Sequence, residues 1–258
     1  MYTLSLIGIG AGNPKHLTLQ AIDALNGCDL ILIPRKGAQK DDLAALRREI
    51  CAQVLNDPGP DIREFDLPQR DADNPQYRDG VDDWHDAIAD AWLHEIRTGL
   101  PDGGRVGFLV WGDPSLYDST MRIAERLETV LPLSVEIIPG ITSLQALTAG
   151  HVIPLNTIGD AVTITTGRQL RQHGWPTGAR TVAVMLDGTY AFQSLPQQPQ
   201  TDIWWSAYAG MPNEIRISGP LHKVTAKIIA TRAEARADHG WIMDIYLLRR
   251  DVVEPECA

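Results

Sequence analysis

The stretch Trp111-Gly112-Asp113-Pro114-Ser115-Leu116-Tyr117 decides how this chain is read. It follows the apolar run Arg105-Val106-Gly107-Phe108-Leu109-Val110, which predicts a buried strand, and the segment after Tyr117 predicts a helix. In an open α/β sheet, ligands bind outside the carboxyl ends of the strands, where such a turn lies. Gly112 lets a ligand approach the backbone, Asp113 offers a charge or a cap, and Pro114 suits the first position of the next helix. Taken alone, the motif is equally a strand-to-helix turn without a ligand.

Upstream, residues 3–9 predict a strand that ends at Gly10-Ala11-Gly12-Asn13-Pro14. Leu17, Leu19, Ala21, Ile22 and Leu25 then recur at helical spacing, with Thr18 as N-cap. Leu30-Ile31-Leu32-Ile33 predicts a short strand ended by Pro34, so the first unit is a parallel, right-handed crossover. A helix follows over 40–55, with Leu43, Leu46, Ile50 and Val54 on one face. Residues 56–80 predict an irregular exposed connection with a brief extended stretch near 62–65. A helix at 81–97, the strand at 105–110, a helix at 116–130 and a strand at 134–138 lead to Pro139-Gly140-Ile141-Thr142-Ser143.

Beyond a helix at 143–150 the pattern becomes richer in strands, at 162–165, 181–185, 203–207, 214–217 and 241–247, with helices at 188–195 and 221–237. Short separations there permit antiparallel pairing. The expected architecture is α/β throughout. It comprises an N-terminal domain over 1–140 with a mostly parallel sheet, a hinge near Pro139-Gly140, and a C-terminal domain over 141–258 with a mixed sheet.

With 258 residues, of which 44% are hydrophobic, the chain can bury cores of ordinary size. A net charge of -10 argues against nucleic acid as a partner, because a phosphate backbone needs a basic footprint. No apolar run reaches the roughly 18 residues that span a bilayer, which argues against a membrane partner. The N-terminus enters Tyr2-Thr3-Leu4-Ser5-Leu6-Ile7-Gly8 directly, a strand and not a signal peptide. Cys28, Cys51 and Cys257 are scattered without CxxC spacing, which points to a reducing compartment and to no metal site. A soluble cytoplasmic protein is expected.

Gly8-Ile9-Gly10-Ala11-Gly12 after a strand invites a dinucleotide-binding reading, but that fingerprint needs glycine where Asn13 stands, and Pro34-Arg35 replaces the acidic residue expected after the second strand. Three separated stretches instead resemble the tetrapyrrole methyltransferases. They are Gly8-Ile9-Gly10-Ala11-Gly12-Asn13-Pro14 with Leu17-Thr18-Leu19, then Trp111-Gly112-Asp113-Pro114, then Pro139-Gly140-Ile141-Thr142-Ser143. They occur in the family's order, and the likeness runs over nearly the whole chain. It departs at Ala11, Asn13 and Pro34, where the family often has proline, aspartate and a carboxylate. The last departure puts any catalytic base at that position in doubt.

The resemblance implies that S-adenosylmethionine binds between two α/β domains and leaves as S-adenosylhomocysteine. Carried over residue by residue, the cofactor contacts are Trp111, Gly112, Asp113, Leu116, Tyr117, Thr142, Ser143, Met185, Ala209 and Gly210. Met185 would form a soft apolar wall, and Asp113 would accept from the cofactor's ammonium or hydroxyl groups. Taken singly, Thr142 and Ser143 also suit helix caps, and Met185 suits a core position.

Further stretches, among them Lys40-Asp41-Asp42-Leu43, Asp83-Trp84-His85, Thr165-Thr166-Gly167-Arg168 and Gly240-Trp241-Ile242-Met243-Asp244, resemble the branch that methylates precorrin-5 at ring carbon C-1 and releases acetate. Methylation at another position, and a non-catalytic tetrapyrrole carrier, remain alternatives. Acyl release benefits from a general base and an oxyanion donor, for which His85, His151, Asp113 and Tyr117 are candidates that the sequence does not rank. The substrate's carboxylates call for local cations, and Arg35, Lys36, Arg122 and Arg168 lie near predicted strand ends or motifs. Trp84 and Trp92, on one helical face, fit a core or a dimer surface. The resemblance also implies a homodimer.

Overall fold

The computed structural model describes residues 1–35, 41–68, 77–196 and 200–250. The chain separates into two compact units, Met1–Thr142 and Ser143–Ala258.

The first unit is built on strands β1 (Tyr2–Gly8), β2 (Leu30–Arg35), β3 (Asp61–Asp66), β4 (Gly104–Val110) and β5 (Leu133–Ile138). All pair in parallel, in the order β3-β2-β4-β1-β5. The central strands are apolar on both faces because helices cover both. Leu4, Leu6, Leu30, Leu32, Val106 and Phe108 pack with helices α3 (Tyr77–Gly99) and α4 (Thr120–Glu128). The alternate residues Ile7, Ile9, Ile31, Ile33 and Leu109 pack with α1 (Leu19–Asn26) and α2 (Asp41–Val54). The sheet is therefore doubly wound. The chain leaves β1 toward one face and its neighbour β4 toward the other, which makes their carboxyl ends a topological switch point.

Thr18 caps α1 as expected, its Oγ1 accepting from the Ala21 N–H at 3.0 Å. Three details differ from the sequence reading. The strand at Leu30 runs on through Pro34 to Arg35; its pairing with β4 has already ended at Leu32, so the missing proline N–H interrupts no bond on that side. The extended stretch near Ile62 is a full edge strand, paired with β2 from Leu30↔Asp61 to Arg35↔Asp66. The helix expected from 116 begins only at Thr120, because Tyr117 takes a left-handed φ of 51°. Pro114 therefore lies in a turn and does not open that helix.

The second unit carries α5 (Ser143–His151), β6 (Val162–Thr166), α6 (Gly167–His173), β7 (Thr181–Met185), β8 (Thr201–Ala207), β9 (Ile215–Pro220), α7 (Leu221–His239) and β10 (Asp244–Arg250). Its sheet is mixed, with order β6-β7-β10-β8-β9; β6 and β7 run parallel and the other pairs are antiparallel. The core is aromatic, with Trp205, Tyr208, Phe192 and Tyr246 fully buried. Inside it Arg232 and Asp244 form a two-pronged ion pair at 2.8 and 3.0 Å, and Trp205 Nε1 donates to the same carboxylate at 3.0 Å. Over 188–195 only a single 3-10 turn forms, at Ala191–Ser194, and α6 occupies a stretch where no helix was expected. No helix among the described residues is long and apolar enough to cross a membrane.

Candidate functional site

In the first unit, the turns that follow β1, β4 and β5 meet backbone to backbone. Gly112 N–H donates to the Gly10 carbonyl at 2.8 Å, an isolated bridge at the switch point. A Cβ placed on Gly8 would lie 2.6 Å from Gly140 N and 2.8 Å from Gly112 O. Only glycine permits that approach. Asp113 locks the arrangement: one carboxylate oxygen accepts from the Gly140 N–H at 2.9 Å, and the other accepts from Ser115 N–H at 2.8 Å and from the Ser115 hydroxyl. Burial disfavours its charge, but the bonds from Ser115 and Gly140 outweigh it and hold the carboxyl below its ordinary range. Parts of three motifs separated in sequence thus form one wall of the first unit.

Trp111, Gly112, Asp113, Leu116 and Thr142 are half-buried around this wall. Ser143, the first residue of α5 in the second unit, is half-buried as well. Tyr117 stands 44% exposed. The wall sets close-packed glycine backbone beside the half-buried side chains of Trp111 and Leu116, a surface without bulk at its centre.

In the second unit, Met185 ends β7 half-buried, and Leu186 follows at φ 53° with its side chain 67% exposed. Asp187 holds that loop from beneath, accepting from Ala191 N–H at 2.6 Å and from the Tyr246 hydroxyl at 2.7 Å. Ala209 is buried and Gly210 half-buried, just after Tyr208, another left-handed residue at φ 53°. Tyr208 is held by its hydroxyl, which donates to the Trp241 carbonyl at 2.7 Å. Left-handed backbone at non-glycine residues is strained and gathers at functional positions. Tyr117, Leu186 and Tyr208 each lie in or beside a stretch picked out from the sequence. Composition and periodicity carry no trace of that strain.

The remaining predicted residues are more dispersed. Arg35 pairs with Asp66 at 3.1 Å and Glu64 at 4.0 Å beside β3. Arg122 donates to the Asp118 carbonyl at 3.2 Å, Arg168 is exposed at the start of α6, and Lys36 lies outside the described residues. His151, at the end of α5, sits 3.2 Å from both the Trp205 carbonyl and the Ser206 hydroxyl.

His85 is buried on α3, and neither ring nitrogen has a hydrogen-bond partner. Burial, reinforced by Arg126, lowers its pKa below the usual 6.5. The folded state therefore resists protonation, and stability falls as pH drops below about 6.5 toward the depressed folded value. His151 is lowered in the same direction, also by burial first. His85→Leu is expected to make the loss of unfolding free energy between pH 7 and pH 5 shallower in urea titrations. An unchanged slope would contradict the buried, neutral ring.

The family model of the tetrapyrrole (corrin/porphyrin) methylases matches residues 3–225. A precorrin-6A synthase (deacetylating) from Sinorhizobium sp is 49% identical over 252 residues, covering 97% of this chain and 96% of that protein. The crystal structure of a cobalamin synthesis related protein (CobF) from Corynebacterium diphtheriae superposes with a TM-score of 0.82 at 41% identity, over 97% of this chain and 99% of that one. A uroporphyrin-III C-methyl transferase from Thermus thermophilus, solved with S-adenosyl homocysteine, shares the fold at a TM-score of 0.56 and 19% identity, over 96% of this chain and 97% of that one. The converging turns of the first unit and the mixed sheet of the second both fall within these matches: the chain belongs to the tetrapyrrole (corrin/porphyrin) methylases.

Proposed function

We propose that this chain methylates precorrin-5 at ring carbon C-1 with S-adenosylmethionine and releases the extruded two-carbon unit as acetate, giving precorrin-6A. The near full-length identity of 49% to a precorrin-6A synthase carries this reading. Trp111, Gly112, Asp113, Leu116, Tyr117, Thr142, Ser143, Met185, Ala209 and Gly210 are the residues proposed to contact the cofactor. When bound, S-adenosylmethionine supplies an electrophilic methyl group on a sulfonium. The protein's part is orientation and exclusion of water, because in-line transfer needs the carbon nucleophile within about 3–3.5 Å of that methyl. Met185 and Leu186 offer apolar surface, and Gly112, at φ 62°, leaves the turn without a side chain. Asp113 also fixes the turn that carries Gly112 against Gly140, through bonds from Ser115 and Gly140.

Incubation of the protein with S-adenosylmethionine and precorrin-5, assayed for acetate and for the product mass, tests the reaction. A methylated product that retains its acetyl group would replace the proposal with methylation at another position. Absence of S-adenosylhomocysteine binding in calorimetry would favour a carrier. Asp113→Ala is expected to weaken S-adenosylhomocysteine by about 1–3 kcal/mol, the scale of a lost charged hydrogen bond. Unchanged affinity in that variant would remove Asp113 from the site. The same reading puts the enzyme in the cytoplasm and makes it a homodimer; sedimentation of the purified protein checks the oligomeric state.

A further inference from the structure

A cavity of about 180 Å³ opens in the first unit at the carboxyl ends of β2 and β4, beside Trp111. Trp84, Trp92, Phe108 and Trp111 line it, and so does one cation, Arg47 of α2. Arg47 is only 9% exposed. Its Nε donates to the Leu109 carbonyl at 3.1 Å, one terminal nitrogen donates to the Leu43 carbonyl at 3.3 Å, and the guanidinium lies 4.9 Å from the centre of the Trp111 ring. Among the described residues it has no carboxylate partner, and its second terminal nitrogen has no hydrogen bond. Burial lowers its pKa to about 10, so it remains a cation at neutral pH.

Asp118 also lines the cavity, but one of its oxygens accepts from Thr120 N–H at 2.7 Å and from the Thr120 hydroxyl at 2.5 Å, and no ion pair joins it to Arg47. A second donor is idle as well. Trp92 is 2% exposed, and its Nε1 has no hydrogen-bond partner. The Asp118 charge favours the Arg47 cation from across the cavity without bonding to it, so the guanidinium stays buried with no carboxylate of the described residues in contact. A buried charge without a hydrogen-bonded partner is costly, and so is an unpaired indole N–H. The combination of a planar cation, an idle N–H and aromatic walls is complementary to a carboxylate on a short hydrocarbon tail.

We propose that this cavity binds a short aliphatic carboxylate, with its oxygens on Arg47. The site has room for a few heavy atoms and none for a macrocycle. Two sources share this chemistry: a free acid such as acetate, or an acidic arm of a larger substrate. Naming acetate as the product rests on the reaction proposed above; the carboxylate site itself does not.

Sodium acetate and sodium propionate, titrated against sodium chloride at equal ionic strength, are expected to change the tryptophan emission of the full-length protein saturably. Arg47→Met should weaken that binding at least tenfold, while Arg47→Lys keeps part of it. Trp92→Phe, which removes only the N–H and some ring area, should weaken it severalfold and serves as the second variant if Arg47→Met does not fold. Uroporphyrin, an octacarboxylate macrocycle, separates the sources. Mutual displacement with acetate shows that the site takes an arm, and independent binding shows that it takes the free acid; both support the site. No saturable response beyond chloride, or equal affinity in a folded Arg47→Met, overturns it. Because neither cofactor nor precorrin is present, this outcome is independent of the methylation assay.

Discussion

Alanine at Gly140 is expected to lower the unfolding free energy by about 3 kcal/mol, the upper end for overpacking, and to abolish detectable S-adenosylhomocysteine binding. The added methyl would lie 2.8 Å from Gly8 Cα and closer still to the Gly112 carbonyl oxygen. These neighbours are backbone atoms of two other turns, so no side chain can rotate aside. Relief requires moving β1, β4 or β5 apart, which breaks the wall on which Gly112 and Asp113 sit. Alanine at Gly188 is the matched control, because a methyl there meets nothing within 4 Å; it should stay within about 0.5 kcal/mol of the parent. Urea unfolding of both variants decides the matter. A Gly140→Ala protein as stable as Gly188→Ala would mean that the three turns are not in contact.

Removing Asp244 should be costlier. Asp244→Ala leaves the Arg232 guanidinium, 6% exposed, with no carboxylate of the described residues in contact; the Asp187 carbonyl at 3.1 Å and the Tyr190 side chain, whose ring lies at 5.1 Å, are neutral partners. It also strips Trp205 Nε1 of its acceptor. Breaking a buried pair from one side costs about 3–5 kcal/mol, mostly for the charge left behind. The double variant Asp244→Ala with Arg232→Met should recover much of that loss, since it removes the stranded charge. Denaturation midpoints of the two single variants and the double variant test this, and a loss under about 1 kcal/mol in Asp244→Ala would show the pair to be solvated.

The fold was legible wherever burial on both faces writes an unbroken apolar run, as in Leu30-Ile31-Leu32-Ile33. It was least legible at Asp61–Asp66, an edge strand with one buried residue, Phe65, and charges at four of its six positions. The helix α6 escaped because its one buried apolar side chain, Leu170, leaves no stripe to detect. The end of α7 at Gly240, at φ 70°, also delays the last strand to Asp244, three residues later than its apolar start suggests.

At the site, the three motifs were visible as sequence, but their convergence depends on strand order, which spacing along the chain does not encode. Arg47 did leave a signal. It falls on the helical stripe Leu43, Arg47, Ile50, Val54, so a charge occupies a position whose neighbours point inward. Trp84 and Trp92 lie in the core of the first unit, where they also line the cavity.

The order β3-β2-β4-β1-β5 also bears on biosynthesis. The first strand made is enclosed by two of the last in its unit: Tyr2 aligns with Gly104 on one side and with Leu133 on the other. At about 5–20 residues per second on the ribosome, β1 waits several seconds with both edges unpaired. Such non-local pairing slows folding and leaves sticky edges open to other nascent chains. Slower synthesis between the emergence of β1 and that of β5 lengthens this exposure.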